Sequence, residues 1–367
     1  MDIQRIYGGV RDALKNVGFG ESEEVAGSFL ATNEEIIESS NSSKGMEILP
    51  LNIALQKYGW LQEKLFSLVS KDKDEYVKMV SENKNRLGYF IHVKEGRNIS
   101  LPIETCYLIN NNDFVQMTHN IVICEKNSQL HLISGCTSNA HIINGMHLGV
   151  TEYFLDDGAL LTTTMIHSWG SEVEVYPRSS AKVGKNAKFI SNYIALTKVK
   201  KIQMNPSAYI DEGGLAEFYS VVYAPKGSTL DLGSEAFLQG KGAISNIVSR
   251  SVSDGGNIII RGKITGDVAG AKGSMACNGL MLSNDSQIHA IPELVANNPD
   301  IELSHEASVG MISEETLAYL MASGISEDDA RNLVIEGFLD LKIPGLPAYL
   351  QSKIDEMIRQ SQSKTAI

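Results

Sequence analysis

Turn residues recur at a fixed interval through the middle of the chain, and this interval limits the folds that the chain can adopt. The turns stand 28 residues apart, at Gly158-Ala159, Asn186-Ala187, Gly214-Leu215, Gly242-Ala243, Gly270-Ala271 and Asn298-Pro299. A second series, half a period away, stands at Ser228, Gly256 and Asn284. Short apolar runs such as STLDL follow these turns, so each unit holds two strands. A constant repeat of strands without helices indicates a β-helix, whereas a β-sandwich has no fixed repeat length.

Both ends of the chain carry a different pattern, in which apolar residues follow the spacing of a helix. Near the start, this spacing is seen at Val10, Ala13, Leu14, Val17, Leu61, Leu65 and Leu68. We therefore predict a mainly β fold that has three parts. They are a helical N-terminal region at 1–95, a parallel β-helix core at 96–312 and a helical C-terminal region at 313–367.

Two capped helices are predicted after the last repeat. Ser313 precedes two acidic residues, and Ser326 precedes a segment with one apolar stripe. The stripe consists of Ala330, Leu333, Val334 and Phe338. Helices in this position either offer a docking surface to a partner or cover the open end of the β-helix.

Charge and hydropathy argue against several classes of partner. The chain has 32 basic and 44 acidic residues, which gives a formal net charge of -12. Because nucleic acids and anionic membranes are bound through clustered Lys and Arg, we expect neither as a main partner. No segment approaches the roughly 20 apolar residues that span a bilayer, and the first residues contain no uninterrupted apolar leader. These features predict a cytoplasmic protein.

The cysteines indicate neither a disulfide framework nor a structural zinc site. Cys106, Cys124, Cys136 and Cys277 form no CxxC pair and follow no zinc-finger spacing. Each is therefore either a buried apolar thiol or an individually functional one.

The repeat makes a specific prediction about one of these thiols. Cys277 and His305 stand one period apart, so we expect them to be neighbours on adjacent coils, with Glu306 next to the imidazole in sequence. Thiolate and imidazole ligands together suit iron, iron–sulfur clusters, zinc or copper. Because side chains alternate along a strand, His305 and Glu306 share a site only at a bulge or a strand end.

Five segments between about residues 90 and 340 carry a more distinctive pattern. They are ISGCTSNAHIINGMHLGVTEYFLDDGA, TTTMIHSWG, SMACNGLML, DSQIHAIPEL and LSHEASVGMISEETLAYLMASGISEDDARNLVIEGFL. Together these segments resemble the SufB/SufD family of iron–sulfur cluster assembly scaffolds. The HEAxxG pattern followed by GISEDDA is the most specific part of the resemblance.

The resemblance implies a right-handed parallel β-helix that dimerises with a second copy or a SufD-like subunit. It also implies that the C-terminal helices dock the ABC-type ATPase SufC, with Leu333, Val334 and Phe338 as the predicted contacts. Cys277 falls where SufB-type members build the nascent cluster, Glu306 where they carry an associated carboxylate, and His305 where SufD-type members supply a histidine. Cys136 matches a SufB cysteine that receives sulfur and passes it along the inside of the β-helix.

These correspondences imply a transient iron–sulfur cluster as the cofactor, with a sulfur donor and apo-acceptor proteins as further partners. Ser134 stands where SufB-type members tend to have a carboxylate, and the longer cysteine clusters of some members are missing. The chain therefore resembles a minimal single-gene scaffold that pairs with itself. No GxxxxGK[ST] motif occurs, so ATP hydrolysis is expected in the partner and the chain is predicted not to be an enzyme.

Three alternatives remain open from the sequence. The first is a SufD-like structural subunit without cluster chemistry, in which Cys277 is a packing residue. The second is a carbohydrate-active β-helix enzyme with paired carboxylates at Asp156-Asp157 and Asp211-Glu212, although acidic residues are also ordinary turn formers. The third is flavin stacking by aromatic residues that are more simply read as strand packing. Those residues are Tyr153, Phe154, Tyr219 and Tyr223.

Overall fold

Two β-sheets run along the molecule, and the chain passes from one sheet to the other once in each coil. The computed structural model describes residues 10–20, 22, 24–339, 351–352 and 355–356, which form a β-solenoid of about 8 turns with small helices towards both ends. The mainly β fold and the repeat of two strands per coil are confirmed.

Sheet A contains ten strands. In spatial order they are β2 (Glu35–Asn41), β1 (Gly27–Thr32), β5 (Ile103–Ile109), β7 (Gln129–Ser138), β9 (Leu160–Ser168), β11 (Lys188–Ala195), β14 (Leu215–Pro225), β17 (Ile244–Asp254), β19 (Lys272–Met281) and β21 (Glu302–Met311). All neighbours from β1 to β21 pair in parallel, and only the β1–β2 hairpin is antiparallel.

Sheet B faces sheet A across the interior. Its strands are β3 (Met46–Pro50), β4 (Tyr89–Val93), β6 (Val115–Cys124), β8 (Asn144–Leu155), β10 (Glu172–Val183), β12 (Lys201–Met204), β13 (Ser207–Ile210), β15 (Thr229–Leu232), β16 (Glu235–Leu238), β18 (Asn257–Gly266) and β20 (Gln287–Ala296). In the two middle coils the strand is interrupted, so β12 and β13 both pair with β10, and β15 and β16 both pair with β18. Pro206, which lacks a backbone N–H, lies at the first of these interruptions.

Neighbouring strands align at offsets close to the predicted period. Glu172 pairs with Asn144 and Ile244 with Lys272, both 28 residues apart, while other coils use offsets from 27 (Lys188 to Leu215) to 31 (Gln129 to Leu160). The turns absorb this variation, because a shift of one residue within a ladder would exchange its inward and outward faces.

The last coil departs from the period by two residues. Ser253 pairs with Met281 and Asn257 pairs with Gln287, so a turn at 254–256 in one coil corresponds to a longer turn at 282–286 in the next. Gly256 is therefore equivalent to Ser286, and the prediction that Asn284 continues the second turn series is wrong. The two additional residues lie in the turn, where they disturb no ladder pairing.

The N-terminal region contains strands as well as the predicted helices. Its helices are α1 (Arg11–Asn16), α2 (Leu51–Lys57), a 3₁₀ helix (Gly59–Lys64) and α3 (Glu75–Glu82). The three strands β1 to β3 lie between α1 and α2, and β4 follows α3, so the predicted helical region at 1–95 also contains strands at 27–50 and 89–93. Strand β1 extends sheet A beside β5, and β3 pairs antiparallel with β4, so these strands cover the first coil. Residues 1–9 lie outside the described part.

The interior is a continuous apolar core along most of the solenoid. Inward-facing residues such as Phe29, Ile103, Leu132, Phe189 and Ile260 belong to one buried cluster that reaches from the first coil to the seventh. A second cluster covers the outer face of sheet A, where Leu14 and Val17 of the N-terminal segment pack near Cys106. This placement confirms the predicted apolar face of α1.

Two C-terminal helices, α4 (Glu314–Met321) and α5 (Glu327–Leu339), follow β21. Ser313 caps α4 by accepting a hydrogen bond from the N–H of Thr316, as predicted. Ile335 and Leu339 of α5 pack against the outer face of sheet A, and Arg250 of β17 donates to the carbonyl of Phe338 at 2.7 Å. The helices thus lie along the side of the solenoid rather than across its open end. No helix among the described residues is long and apolar enough to cross a membrane.

Candidate functional site

Cys277 lies in the middle of β19 and points into the solenoid. Alternate residues of this strand are buried, namely Gly273, Met275, Cys277 and Gly279, which places the thiol on the inner face. Its ladder neighbours are Ser249 on β17 and Ala307 on β21. The thiol is therefore separated from the edge of sheet A by one strand.

The longer turn at 282–286 makes the offset between β19 and β21 larger than the predicted period. Met275, not Cys277, pairs with His305, so the predicted direct pairing of Cys277 with His305 is wrong. The two residues still share the inner face, because their ladder positions differ by two. At ordinary strand spacing they are diagonal neighbours about 8 Å apart between Cα atoms.

The side chain of His305 has one nitrogen without a partner. Its Nε2 atom is buried and forms no hydrogen bond within the described structure, although the residue as a whole is half-buried. A buried polar atom without a partner is costly, so such an atom commonly marks a site that another group completes. The orphaned nitrogen lies on the same inner face as the Cys277 thiol.

Glu306 faces the opposite way. Strand β21 pairs with β19 without a register shift from Glu302 to Met311, so no bulge turns Glu306 inward. The carboxylate is exposed on the outer face beside Ala276. Among the described residues, no group of three or more His, Cys, Asp or Glu side chains is arranged to hold a metal ion. The single chain thus brings together a thiol and an imidazole but not the carboxylate.

Burial controls the protonation of the thiol. It raises the pKa of Cys277 to about 11, because a charged thiolate is poorly solvated inside the solenoid. The free thiol is therefore protonated near neutral pH, and binding of a metal would release that proton.

Cys136 occupies the inner face of β7, near the other end of the solenoid. Its Sγ atom lies 3.8 Å from Sδ of Met165, and its ladder neighbours are Tyr107 and His167. Burial raises the pKa of the Cys136 thiol to about 12. The predicted sulfur acceptor is thus an interior thiol, and it does not lie next to Cys277.

A small polar cavity adjoins Cys136 inside the solenoid. It has a volume of about 50 Å³, and its lining includes two histidines, four tyrosines and several hydroxyl side chains. The hydroxyls of Thr118 and Thr163 line it and have no hydrogen-bond partner among the described residues. Because a water molecule needs at least about 10–15 Å³ of such space, the cavity can hold a few waters or a small polar ligand.

A column of inward side chains connects this cavity with Cys277. Successive ladder neighbours along sheet A are Ser134, Met165, Tyr193, Ser220, Ser249 and Cys277. Tyr193 places its hydroxyl 2.9 Å from Nδ1 of His167, and Ser220 donates to Ser249 at 2.9 Å. Five strand steps separate Cys136 from Cys277, which corresponds to about 24 Å.

This column was not predicted, although the sequence contains a signal for it. Strand β17 reads ISNIVSRSVSD, in which Ser245, Ser249, Ser251 and Ser253 occupy the buried alternate positions. Serine is usually exposed, so its recurrence on the inner face of a buried strand indicates a polar interior.

The predicted docking stripe on α5 is divided between two environments. Val334 and Phe338 are half-buried against the cluster on the outer face of sheet A, whereas Leu333 is 52% exposed. On the neighbouring helix α4, Tyr319 and Met321 are also exposed. The apolar surface available to a partner is therefore Tyr319, Met321 and Leu333, and the other two residues attach the helix to its own solenoid.

The remaining candidate residues have structural explanations. The carboxylate of Asp157 accepts the N–H of Lys185 at 3.0 Å, and that of Asp211 accepts the N–H of Glu212 at 2.7 Å, as expected of turn residues. Tyr153 belongs to the interior core and Phe154 packs beneath the N-terminal helices. Tyr223 packs on the outer face of sheet A and donates to Asp254 at 3.0 Å, while Tyr219 is half-buried.

Fold and site together define a class of protein, a parallel β-solenoid with two interior thiols and, between them, a column of inward side chains that includes Tyr193, Ser220 and Ser249. Residues 107–338 match the family model described as SUF system FeS cluster assembly, SufBD core domain. The chain is also similar to proteins named iron-sulfur cluster assembly SufBD family protein. The one from Archaeoglobus fulgidus is 40% identical over 96% of this chain and 95% of its own length.

Two further relatives bear the same family name. The one from Methanothermobacter thermautotrophicus is 39% identical over 96% of this chain and 87% of its own length. The one from Pyrococcus horikoshii is 32% identical over 96% of this chain and 81% of its own length. The chain belongs to the SufBD family of iron–sulfur cluster assembly proteins.

Proposed function

We propose that this protein is the scaffold subunit of a SUF-type assembly complex in the cytoplasm, in which it receives sulfur and iron and builds a nascent iron–sulfur cluster. The observation that carries the proposal is the interior arrangement of Cys136, the column of inward side chains and Cys277, together with the partnerless Nε2 of His305. An inert structural subunit has no need for a polar interior of this kind. The cluster is the product that the scaffold releases, not a permanent cofactor.

Sulfur enters this scheme at Cys136. The thiol attacks the terminal sulfur of a donor persulfide, a new S–S bond forms at Cys136, and the S–S bond of the donor breaks. The proton lost by Cys136 ends on the thiol of the donor, so the step needs no external oxidant or reductant. The column of Ser220 and Ser249 then marks the polar route towards Cys277.

Cluster assembly in this proposal takes place near Cys277 and the open end of the solenoid. A thiolate is the strongest iron ligand in this region, while imidazole and carboxylate ligands exchange more easily, which suits a protein that must release its product. His305 supplies an imidazole on the same face. Glu306, on the outer face of the edge strand, is expected to contribute less than Cys277.

The proposed complex contains two copies of this chain. Strands β20 and β21 end their sheets, so their outer backbone groups are unpaired among the described residues. Several apolar side chains near this end are exposed, including Ile291, Leu294, Val309 and Met311. Pairing of these edges would place the ligands of two chains at one interface, which is consistent with the incomplete ligand set of each chain.

An ABC-type ATPase resembling SufC is the proposed energy-supplying partner. Its proposed docking residues are the exposed apolar side chains Tyr319 and Met321 of α4 and Leu333 of α5. Nucleotide binding and hydrolysis belong to that partner, and this chain acts as an assembly scaffold. A sulfur donor and apo-acceptor proteins complete the proposed set of partners.

Anaerobic reconstitution with iron and sulfide tests the proposal. The full chain is expected to develop the visible absorption of an iron–sulfur cluster, and Cys277→Ala is expected to abolish it. His305→Ala and Glu306→Ala should reduce the absorption by smaller amounts. Cys106→Ala is the matched control, because this thiol is equally buried but lies on the outer face of sheet A.

The same experiment separates the scaffold from a SufD-like structural subunit. If Cys277→Ala assembles a cluster as well as the parent chain does, the thiol is a packing residue and the scaffold proposal is wrong. If a cluster forms only with a related subunit and Cys277→Ala leaves that cluster intact, the cluster-building site lies in that subunit.

A further inference from the structure

A large groove runs along one corner of the solenoid. It has a volume of about 1020 Å³ and follows the ends of the sheet A strands, where each strand turns towards sheet B. Its lining includes Thr137 and Ser138, which directly follow Cys136 in sequence. Helix α1 contributes Asp12, Ala13 and Asn16 to the opposite wall.

Trp169 lies beside both this groove and the inner cavity. The indole lines the groove, and its ring packs against His147 and His167 at centroid distances of 5.1 and 5.7 Å. Both histidines line the inner cavity beside Cys136. One side chain therefore connects the lining of the groove with the lining of the cavity that adjoins the candidate sulfur-accepting thiol.

The turn that carries Trp169 is held tightly. The N–H of Gly170 donates to Oγ of Ser138 at 2.8 Å, and Thr137 donates to the carbonyl of Ser168 at 2.7 Å. A Cβ atom at Gly170 would lie 2.3 Å from the carbonyl oxygen of Ile142, so only glycine allows this close approach. The position of the indole is thus fixed by the backbone on both sides.

The indole N–H has no partner. Trp169 is 6% exposed, and its Nε1 atom is buried without a hydrogen bond among the described residues. Buried indole N–H groups usually find an acceptor, because leaving one unpaired costs free energy. An unsatisfied donor at the boundary between a groove and a cavity indicates a place where a ligand accepts a hydrogen bond.

We propose that Trp169 is the entry port through which a terminal persulfide reaches Cys136, with the indole N–H as a donor to the incoming sulfur. This inference rests on the proposed function of Cys136 as the sulfur acceptor. The groove receives the body of the donor, and the persulfide sulfur passes the indole into the inner cavity. Transfer then follows the balanced exchange given above, in which the donor leaves as a thiol.

The dimensions favour a small sulfur group at the end of a larger carrier. The inner cavity of about 50 Å³ can hold a few water-sized groups, whereas a carrier protein or a glutathione molecule is far too large to enter it. The groove is about twenty times larger and is lined by both Lys and Asp side chains, including Lys198 and Asp254. A carrier thus stays in the groove while its terminal sulfur enters.

Access to Cys136 tests the port directly. Full-length chain is treated with iodoacetamide under reducing conditions, and alkylation of Cys136 and Cys124 is followed by peptide mass spectrometry. Trp169→Ala is expected to speed alkylation of Cys136 at least tenfold while Cys124, buried in a neighbouring coil, is unchanged. Trp60→Ala removes the other tryptophan, far from the groove, and should change neither rate.

Two outcomes of that experiment overturn the port. One is an unchanged rate at Cys136 in Trp169→Ala, and the other is an equal rise at Cys136 and Cys124, which would show general loosening of the core. If Trp169→Ala does not fold, Trp169→Leu replaces it, since this residue is apolar and still shorter than the indole. The same criteria then apply.

Sulfur transfer tests the N–H donor and identifies the carrier. Trp169→Phe keeps an aromatic wall but lacks the N–H, so its alkylation rate should match the parent while persulfide transfer to Cys136 slows severalfold. Glutathione persulfide and a single-cysteine carrier protein in persulfide form are the two probes. Unchanged transfer by Trp169→Phe from both probes would refute the donor role.

Comparison of the two probes assigns the source. If the native source is a protein, Trp169→Phe and Asp254→Lys, a change in the groove, both slow sulfur transfer from the carrier protein. Asp254→Lys then has little effect on transfer from glutathione persulfide. If the source is a small persulfide, only Trp169→Phe has an effect. Failure of the parent chain to accept sulfur from either probe would refute the proposed function of Cys136, whereas the alkylation rates would still decide whether Trp169 closes a port.

Discussion

The two ends of the solenoid differ in how the edges of their sheets are covered. At the N-terminal end, the β1–β2 hairpin and strand β3 continue the two sheets, and the helical segments pack over Phe90 and Ile121. At the C-terminal end, β20 and β21 stop with exposed apolar side chains, and the described helices α4 and α5 lie to one side. The first end is closed by the chain itself, whereas at the second the described residues leave the edges of β20 and β21 unpaired, where the proposed second copy would bind.

Because of this difference, we expect the N-terminal end to contribute to the stability of the single chain and the C-terminal end to contribute to its association. A sheet edge needs a partner wherever its backbone groups are unpaired, and a local hairpin supplies one during folding of a single chain. An edge that stays open can instead be completed by a second copy, which links assembly to the residues nearby. Those residues here are Cys277, His305 and Glu306.

Substitution of Glu152 should damage the closed end most. Its carboxylate is fully buried and accepts the N–H groups of Phe66, Leu68 and Val69, besides lying 2.8 Å from Nε2 of His119. Glu152→Ala leaves these donors unsatisfied, so we expect the free energy of unfolding to fall by about 3–5 kcal/mol. Urea unfolding of the full chain measures this loss.

Glu172→Ala is the control for that experiment, because Glu172 is exposed on the same face of the neighbouring strand. It should change the free energy of unfolding by less than about 0.5 kcal/mol. A similarly small loss in Glu152→Ala would show that apolar contacts alone hold segment 66–69.

Substitution at the open end should act on association instead. Ile291 is 47% exposed on β20, and Ile291→Lys places a charge where the second copy is expected to pair. We expect the dimer to weaken by about 2 kcal/mol or more, roughly 30-fold in Kd, with little change in thermal unfolding of the monomer. Sedimentation equilibrium measures the change.

The matched control lies at the closed end. Ile53 is 44% exposed on α2, so Ile53→Lys makes the same change on a surface of similar exposure. It should leave self-association unaltered. Equal weakening by both variants would contradict the assignment of the interface to the open end, and a parent chain that is monomeric at micromolar concentration would refute the dimer.

Thiol reactivity offers a finer comparison of the two ends. Burial raises the pKa of Cys277 to about 11 and that of Cys124, near the closed end, to about 12. Because the thiolate is the reactive form, Cys277 should be alkylated about tenfold faster at pH 8 in the monomeric Ile291→Lys chain. Its rate should rise about tenfold per pH unit until the pH reaches about 11.

The same pKa shifts predict a loss of stability at high pH. Each thiol has a higher pKa in the folded state than in the unfolded state, so the neutral form is favoured by folding. This contribution to the free energy of unfolding is complete below the unfolded-state pKa of about 8.5, and it is lost as the pH rises towards 11 for Cys277 and 12 for Cys124.

The alkylation rates also test the comparison of the two ends. Equal alkylation rates of Cys277 and Cys124 across this pH range would contradict the difference between the ends.

The smallest expected effect concerns the ATPase surface. Leu333→Ala should weaken binding of a SufC-like ATPase by about 1 kcal/mol, or severalfold in Kd, without lowering the unfolding temperature. Met79→Ala changes a side chain of comparable exposure on α3 and should not affect binding. Phe338→Ala should mainly loosen α5 from the solenoid, since this residue packs on sheet A. Calorimetric titration that shows no difference for Leu333→Ala would move the contact elsewhere.

The repeat was readable from sequence because glycine and asparagine turns recur at a nearly constant interval, which reflects the geometry of stacked coils. The two additional residues in the turn at 282–286 could not be predicted, because Asn284 is as favourable in a turn as Ser286, which is the residue equivalent to Gly256. Strands β1 to β3 escaped prediction because they lie at an end of the solenoid, pair partly in antiparallel fashion and share no repeat with the core.

Candidate residues were predicted with mixed success for a similar reason. The capped helices follow from local pattern, and Ser313 and Ser326 both accept the expected backbone N–H groups. The division of the α5 stripe between Leu333 and Phe338 depends on where the helix lands on sheet A, which involves contacts distant in sequence. The proposed role of Trp169 likewise could not be predicted, because the groove and the inner cavity beside it form only in the folded chain.

The turn at 282–286 has a consequence for how such a site can vary. Because its two additional residues lie outside the ladders, the turn can change in length without changing which residue of β21 faces Cys277. Removing two residues there would leave His305 paired with Met275, whereas a slip of one residue within β21 itself would exchange the faces of His305 and Glu306. Insertions and deletions in this surface turn can therefore accumulate while the side chains offered to a metal stay the same.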